Sequence, residues 1–324
     1  MRFPYSGSTF FDFFLILSQR LFLIIQGKLS FSNLASDEIQ LLVLLGVSTS
    51  CALIGTFLVL RKMTMLANSL SHTILLGIVI TILIFPTDAF YDTQTVLPRL
   101  LFGALFCAIL TTVATEFLIK TIRLTPDASI AIVFTTFFAL GILLATIYLR
   151  DVHLGTEAVM GNVDALRLED GKMVWIIALG NFILLFLFYK EFQITSFDPG
   201  LSTVLGISPS LFHYLLMFQT AASVIVSFRA VGVLMVLAFL TVPPLCARLF
   251  THYLKQMLGI AILIGGLASL LGVALARHLL SVYGLALSTS GLVVTVLALF
   301  LFFTILLVKL RDRRHIRIAL KGNY

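Results

Sequence analysis

The stretch MLANSLSHTILLG, residues 65–77, places Asn68 and His72 one helical turn apart inside a run of apolar residues. On a helix, residues three and four positions apart are neighbours, so this segment would carry a narrow stripe of small and polar side chains. This polar stripe consists of Thr64, Ala67, Asn68, Ser71 and His72.

The residue types of the polar stripe allow two interpretations. Asn68 and His72 could hydrogen-bond neighbouring helices, which is a purely structural role. Polar groups at membrane depth are costly and often line a pathway, and a neutral imidazole is a common ligand of transition metals. Taken alone, the residues do not decide between the two.

The composition is typical of an integral membrane protein. Of 324 residues, 60% are hydrophobic and 11% are charged, against about 25% charged in a typical soluble domain. The mean hydropathy is +1.09. The net charge of +7 does not indicate nucleic-acid binding, because Lys and Arg lie mostly between apolar runs and at the C-terminus. We therefore expect the chain to be in contact with membrane lipid.

Apolar runs of nearly 20 residues or more predict about nine transmembrane helices, with eight to ten allowed, in an all-α polytopic fold. The predicted spans are 39–60, 64–85, 99–119, 128–148, 173–189, 211–228, 230–250, 257–276 and 289–309. We therefore divide the chain into an N-terminal segment (1–38) with a possible interfacial helix over 10–26, a transmembrane domain (39–310) and a basic cytoplasmic tail (311–324).

The distribution of Lys and Arg predicts the orientation of these spans. Arg61, Lys120, Lys190 and Arg248 fall on one side together with the basic tail, and we expect that side to be cytoplasmic.

Motifs of intrinsic catalysis are absent from the sequence. It contains no phosphate-binding G-x-x-x-x-G-K-[ST], no HExxH and no GxSxG. The three cysteines lie scattered in apolar segments, which predicts buried free thiols. We therefore expect neither an enzyme nor a permanently bound cofactor.

The segment GTFLVLRKMTMLANSLSHTILLGI (55–78) resembles the signature of the ABC-3 family of manganese, zinc and iron ABC transporter permeases. Four later segments resemble further motifs of that family in the same order. They are TPDASIAIVFTTFFALGILL (125–144), SFDPGLSTVLGISPSLFHYLL (196–216), RAVGVLMVLAFLTVPPLCARL (229–249) and SVYGLALSTSGLVV (281–294).

This resemblance implies the membrane permease of an ATP-driven importer that transports a divalent Mn, Zn or Fe ion across a bacterial plasma (inner) membrane. The implied partners are a cytoplasmic ATPase subunit, an extracytoplasmic metal-binding protein and a second permease subunit in a homo- or heterodimer. The family's Asp and His of the D-A-L-S-H motif, which coordinate the ion, correspond to Asn68 and His72. Ser71 and Thr64 would line the pathway beside them.

Asn68 departs from the family pattern, because an amide stands where the family usually has a carboxylate. Two Asn side chains in a symmetric dimer would not offset the charge of a dication, which is costly in a low-dielectric passage. Either a second, different permease supplies the carboxylate, or a neutral amide weakens the site and speeds release of the ion.

The loop 190–210 corresponds to the surface on which the family's ATPase docks. Asp198-Pro199-Gly200 is a turn signal, and Gly206 could close a short helix. Pro243 and Pro244 predict a helix break or kink inside an apolar span.

A stand-alone secondary metal-ion transporter is the alternative function. Such carriers usually place several carboxylates within the membrane for ion coupling. Acidic residues near the middle of the predicted spans are scarce here, which favours the ATP-driven importer.

Overall fold

The computed structural model describes residues 4–5, 7–28, 34–85, 93–148 and 163–321, and within these ranges the regular structure is helical. The elements of the first half are α1 (Phe10–Ile25), α2 (Ser36–Leu60), α3 (Thr64–Ile84), α4 (Thr93–Phe117), a π-helical turn (Leu118–Ile122) and α5 (Pro126–Tyr148). The second half contains a 3-10 turn (Val163–Ala165), α6 (Leu168–Leu187), α7 (Tyr189–Phe197), α8 (Pro199–Val204), α9 (Pro209–Val231), α10 (Val233–Phe250), α11 (Leu254–Tyr283) and α12 (Thr289–Lys321).

Among the described residues, 8 helices are long and apolar enough to cross a membrane, and α3 contributes a shorter apolar run, Asn68–Ile84. The prediction of an all-helical polytopic membrane protein with eight to ten spans is therefore confirmed. Several helices extend beyond the predicted spans: α6 begins at Leu168 rather than 173, and α12 continues to Lys321 rather than ending near 309. Polar residues at these ends continue the backbone hydrogen bonding of the helix, which a hydropathy pattern does not report.

Helix α1 is too short, at 16 residues, to count among the candidate spans. It begins at a capping box formed by Thr9 and Asp12. Phe13 is buried against the bundle, whereas Phe11 on another side is 80% exposed. The helix thus packs on the bundle with one apolar face and leaves a second uncovered; its place at the membrane interface stays a prediction.

Buried ion pairs join several elements at the end of the bundle where α2 begins. We call it the opposite end, because it lies across the bundle from the basic end described below. Arg277 of α11 pairs with Asp37, and Arg20 of α1 pairs with Glu38. Glu38 also accepts a hydrogen bond of 2.9 Å from the hydroxyl of Tyr5. Because each buried carboxylate has a cationic partner, α1 and α11 are fixed to the start of α2.

The other end of the bundle, which we call the basic end, collects cationic side chains. Arg248 donates to the carbonyl oxygen of Val59 at 3.2 Å, and the ammonium of Lys255 lies 5.9 Å from the ring centre of Tyr189. Lys120 pairs with Glu116. These positions are those that predict the cytoplasmic side, and that assignment stays a prediction.

The two prolines of α10 do not interrupt its helical secondary structure, which runs from Val233 to Phe250. The prolines therefore do not end the helix, a kink at them stays a prediction, and α10 makes a close contact with α2 at this point. Pro244 has no N–H to donate to the carbonyl of Leu240. That carbonyl faces Gly55 of α2, where a Cβ atom would lie only 2.2 Å from the oxygen. Pro244 leaves the carbonyl oxygen of Leu240 without its usual N–H donor. Because Gly55 has no side chain, this oxygen fits against the Cα–H group of Gly55.

Replacement of Gly55 should therefore destabilise the bundle. In Gly55→Ala the new methyl group meets a backbone oxygen that cannot move without α10, so we expect a loss of about 1–3 kcal/mol in stability. Thermal unfolding in detergent, followed by size-exclusion chromatography, measures it. Gly180→Ala is the matched control, because among the described residues no atom beyond the neighbouring backbone of its own helix lies within 4 Å of the added Cβ. Equal unfolding temperatures for the two variants would contradict this account of the α2–α10 contact.

Candidate functional site

Helix α3, which carries the polar stripe, begins after a tight turn. Arg61, Lys62 and Met63 separate it from α2. Lys62 adopts the left-handed conformation with φ of +58°, and the N–H of Met63 donates to the carbonyl of Leu58 at 2.8 Å. This pattern satisfies carbonyls at the end of α2 and fixes the direction in which α3 leaves.

His72 lies on α3 against two aromatic rings of α5. Its ring centre is 5.3 Å from that of Phe134 and 5.2 Å from that of Phe138. The two phenylalanines stack on each other at 5.8 Å. The imidazole is half-buried, so it is neither sealed in the core nor fully exposed. The two rings restrict the rotation of the imidazole, which remains partly exposed.

The rest of the polar stripe follows the surface of the chain. Asn68 is exposed and Thr64 is half-buried, and Met65 beside them is 61% exposed. The side chain of Ser71 lies outside the part that the structure describes. Asn68 is therefore accessible at the surface of the single chain, and His72, one turn away, is partly accessible.

Close packing determines which sides of α3 are covered. A Cβ atom at Gly77 would lie 2.4 Å from the carbonyl oxygen of Gly103 in α4, and one at Gly141 of α5 would lie 3.1 Å from the nitrogen of Leu76. Small residues of this kind let helices approach within the membrane. Helix α5 itself is mostly exposed, in contrast to the largely buried α2.

An imidazole and an amide one turn apart can direct two donor atoms at one ion. Among the described residues, no group of three or more His, Cys, Asp or Glu side chains could hold a metal ion. The described part of one chain thus offers a partial donor set at its surface rather than a closed metal centre.

The loop predicted to dock the ATPase forms two short helices, α7 and α8. Asp198 is not part of a free turn, because its side chain accepts from the N–H of Leu201 at 2.9 Å and caps α8. Gly206 follows α8 with φ of +77°. Val204 is 85% exposed and Leu205 is 55% exposed, so this segment presents apolar side chains outward. We call residues 189–206 the coupling segment.

The sequence did not predict how the coupling segment is attached to the bundle. The buried ring of Phe192 in α7 packs 5.5 Å from Phe57 of α2 and 5.3 Å from Phe212 of α9. Arg61 donates from Nε to Ser196 and from Nη2 to Thr195. Arg61 and Thr195 are 134 positions apart, so no local sequence pattern gives a signal of this contact.

A second feature that the pattern did not reveal is a buried polar cluster between α2, α6 and α9. The side-chain amide of Asn181 donates to Ser50 at 2.8 Å and to Ser223 at 2.6 Å. The two serine hydroxyls lie 3.0 Å apart. Such a network satisfies polar groups inside an apolar bundle and fixes the register of three helices.

The cap on α8 predicts the behaviour of the coupling segment toward proteases. Asp198→Ala removes an N-cap worth about 1 kcal/mol. The fraction of molecules in which this six-residue helix is unfolded should therefore rise about fivefold. Chymotrypsin cleavage at the exposed Leu201 and Leu205, measured on the protein in detergent, should accelerate accordingly. Asp198→Ser keeps a capping oxygen and should be cleaved at the wild-type rate; equal rates for both variants would contradict the role of the cap.

Comparison with known proteins identifies similar chains along most of the sequence. The profile of the ABC 3 transport family matches residues 39–309. A probable metal transport system membrane protein of Chlamydia muridarum is 40% identical over 319 residues, which are 98% of each chain. The manganese transport system membrane protein MntD of Bacillus subtilis is 39% identical over 247 residues, 72% of this chain and 81% of the relative. Among solved structures, PsaBC from Streptococcus pneumoniae in complex with Fab is similar with a TM-score of 0.68 and 23% identity, covering 84% of this chain and 92% of that one.

Proposed function

This chain belongs to the ABC 3 transport family, and we propose that it passes a divalent transition metal through the membrane on a path lined by His72 and Asn68. As a member of that family it is a permease subunit of a transporter and not an enzyme. Manganese is the substrate named for the Bacillus subtilis relative, and zinc and iron(II) suit the same donors. The metal is the transported substrate and not a resident cofactor.

The position of His72 carries the proposal for the pathway. Phe134 and Phe138 hold the imidazole at the edge of the chain, one turn from the exposed amide of Asn68. A site made of few donors suits transport, because an ion in transit must bind and also leave. A second permease subunit packed on this side of α3 and α5 would complete the donor set and enclose the path.

The amide at position 68 bears on the composition of the permease pair. A pair with Asn at this position in both subunits offers the ion imidazole and amide donors but no negative charge. We propose that the second subunit is a different permease that supplies a carboxylate. Purification of a functional importer with this chain as its sole permease would favour the alternative, in which the neutral amide speeds release.

The remaining partners meet the two ends of the bundle. The apolar side chains of the coupling segment, Leu201, Val204 and Leu205, offer a docking surface for the ATPase at the basic end. In a bacterial plasma membrane that end would face the cytoplasm, as the distribution of Lys and Arg predicts. The extracytoplasmic metal-binding protein would then deliver the ion to the opposite end.

Substitution of His72 tests the pathway. In vesicles that contain the permease, its ATPase and its binding protein, His72→Ala should reduce Mn²⁺ and Zn²⁺ uptake to background, because the path loses its imidazole donor. Folding and association with the ATPase should persist, since the ring is half-buried and lies at the edge of the chain. Radiotracer uptake and co-purification measure the two effects.

The matched control is His252→Ala, because His252 is exposed in the turn between α10 and α11. Its uptake should equal that of the wild type. Undiminished uptake by His72→Ala would remove the imidazole from the pathway. Uptake by this chain alone, driven by a proton gradient without ATP, would establish the secondary transporter in place of the ATP-driven importer.

A further inference from the structure

Arg61 lies at the junction between the helix of the polar stripe and the coupling segment. Its Nε donates to the hydroxyl oxygen of Ser196 at 3.0 Å, and its Nη2 donates to that of Thr195 at 2.8 Å. Both acceptors lie in the last turn of α7, directly before the capped helix α8. Thr195 is 4% exposed, so this contact is part of the interior of the protein.

The guanidinium keeps its charge in this position. Burial lowers the pKa of Arg61 to about 10, which still leaves the side chain protonated at neutral pH. Hydrogen bonds from a charged donor are stronger than neutral ones. The planar fork reaches two hydroxyls at once, which the single ammonium of a lysine does not reproduce.

The other end of the contact is rigid. Arg61 is the first residue after α2, and two residues separate it from Thr64, where α3 begins. The left-handed Lys62 and the hydrogen bond from Met63 to Leu58 fix the short turn between the helices. A displacement of Arg61 therefore moves the start of α3, and Asn68 lies one turn further along that helix.

We propose that Arg61 is a positioning residue that transmits movement of the coupling segment to α3 and so to Asn68 and His72. The inference rests on the proposed function, since it assigns a mechanical role within that transport cycle. The ATPase would displace α8 and α7, the two hydroxyls would carry Arg61 with them, and the polar stripe would follow. Phe192 holds α7 to α2 and α9 by apolar contact, whereas the hydrogen bonds of Arg61 give the link its direction.

A variant that breaks the link should separate ATP hydrolysis from transport. Ser196→Ala deletes one of the two hydroxyl acceptors. Arg61→Lys replaces the planar guanidinium by an ammonium and keeps the positive charge. In vesicles with the complete complex, both should retain association with the ATPase and ATP hydrolysis. The metal imported per ATP hydrolysed should fall about tenfold, the scale of one lost hydrogen bond to a charged group.

Arg248→Lys is the matched control. Arg248 also binds the end of α2, through the carbonyl of Val59, but no hydrogen bond to α7 is found among its described contacts. Its ratio of metal to ATP should equal that of the wild type. A purely structural role for Arg61 would lower uptake and hydrolysis in proportion, and that result, or an unchanged ratio in both link variants, would overturn the proposal.

A second measurement reports the movement itself without any metal. The natural cysteines, Cys51, Cys107 and Cys246, are buried, so Met65→Cys introduces an exposed thiol at the start of α3. Its rate of modification by a maleimide should change when ATP is added to the complex. Ser196→Ala in the same background should abolish that change; a change equal to that of the parent would overturn the link.

The two measurements separate this inference from the proposed function. Absence of Mn²⁺, Zn²⁺ and Fe²⁺ import by the wild-type complex would refute the proposed function and leave the maleimide result to decide the link. Normal import by the wild type together with an intact response in Ser196→Ala would refute the link and retain the pathway.

Discussion

Close backbone packing of α3 on α4 and α5 determines which face of α3 stays at the surface of the chain. A side chain at Gly77 would clash with the carbonyl of Gly103, and one at Gly141 would be in tight contact with the backbone at Leu76. Helices in a bilayer gain little by hiding apolar surface from lipid, so contacts of this kind hold them together. With these sides occupied, Asn68 is left exposed and His72 half-buried, and in our proposal a second subunit reaches them there. The same packing brings Phe134 and Phe138 onto the imidazole, and the geometry of the proposed site thus follows from small residues that bind nothing themselves.

The two ends of the bundle are held by different interactions, and the difference fits the proposed transport cycle. At the opposite end, Asp37 and Glu38 each pair with an arginine, and removal of one partner from a buried ion pair is strongly destabilising. The ion pairs therefore hold α1 and α11 firmly to the start of α2. At the basic end, Arg61 binds two neutral hydroxyls, and only two residues separate it from the helix of the polar stripe. In our proposal the motion produced by the ATPase enters at this second end, where fewer charges must be separated from one another.

Hydropathy and composition predicted the helices because each span must satisfy its own backbone hydrogen bonds in lipid. The order of the spans and the polar stripe on α3 followed from residue spacing alone. Contacts between residues that are distant in the sequence did not follow from this spacing. Nothing local indicates that the carbonyl of Leu240 faces Gly55; the two prolines predicted a break or kink at a point where the helix continues and makes a close contact. Asp198 was predicted to lie in a turn, since the same residue types open turns and cap helices. Arg61 and Thr195 are 134 positions apart, and Phe134 lies on a different helix from His72. These partners depend on tertiary packing, which the periodicity of one helix does not encode.

Anomalous X-ray scattering from crystals of the complete complex, grown with Mn²⁺ or Zn²⁺ and measured at the absorption edge of the metal, would locate the ion in the membrane. We expect a peak about 2.0–2.3 Å from a ring nitrogen of His72, at the contact with the second permease subunit. A peak elsewhere in the membrane, with the imidazole packed against lipid or against a helix that excludes the ion, would contradict the pathway proposed for this chain.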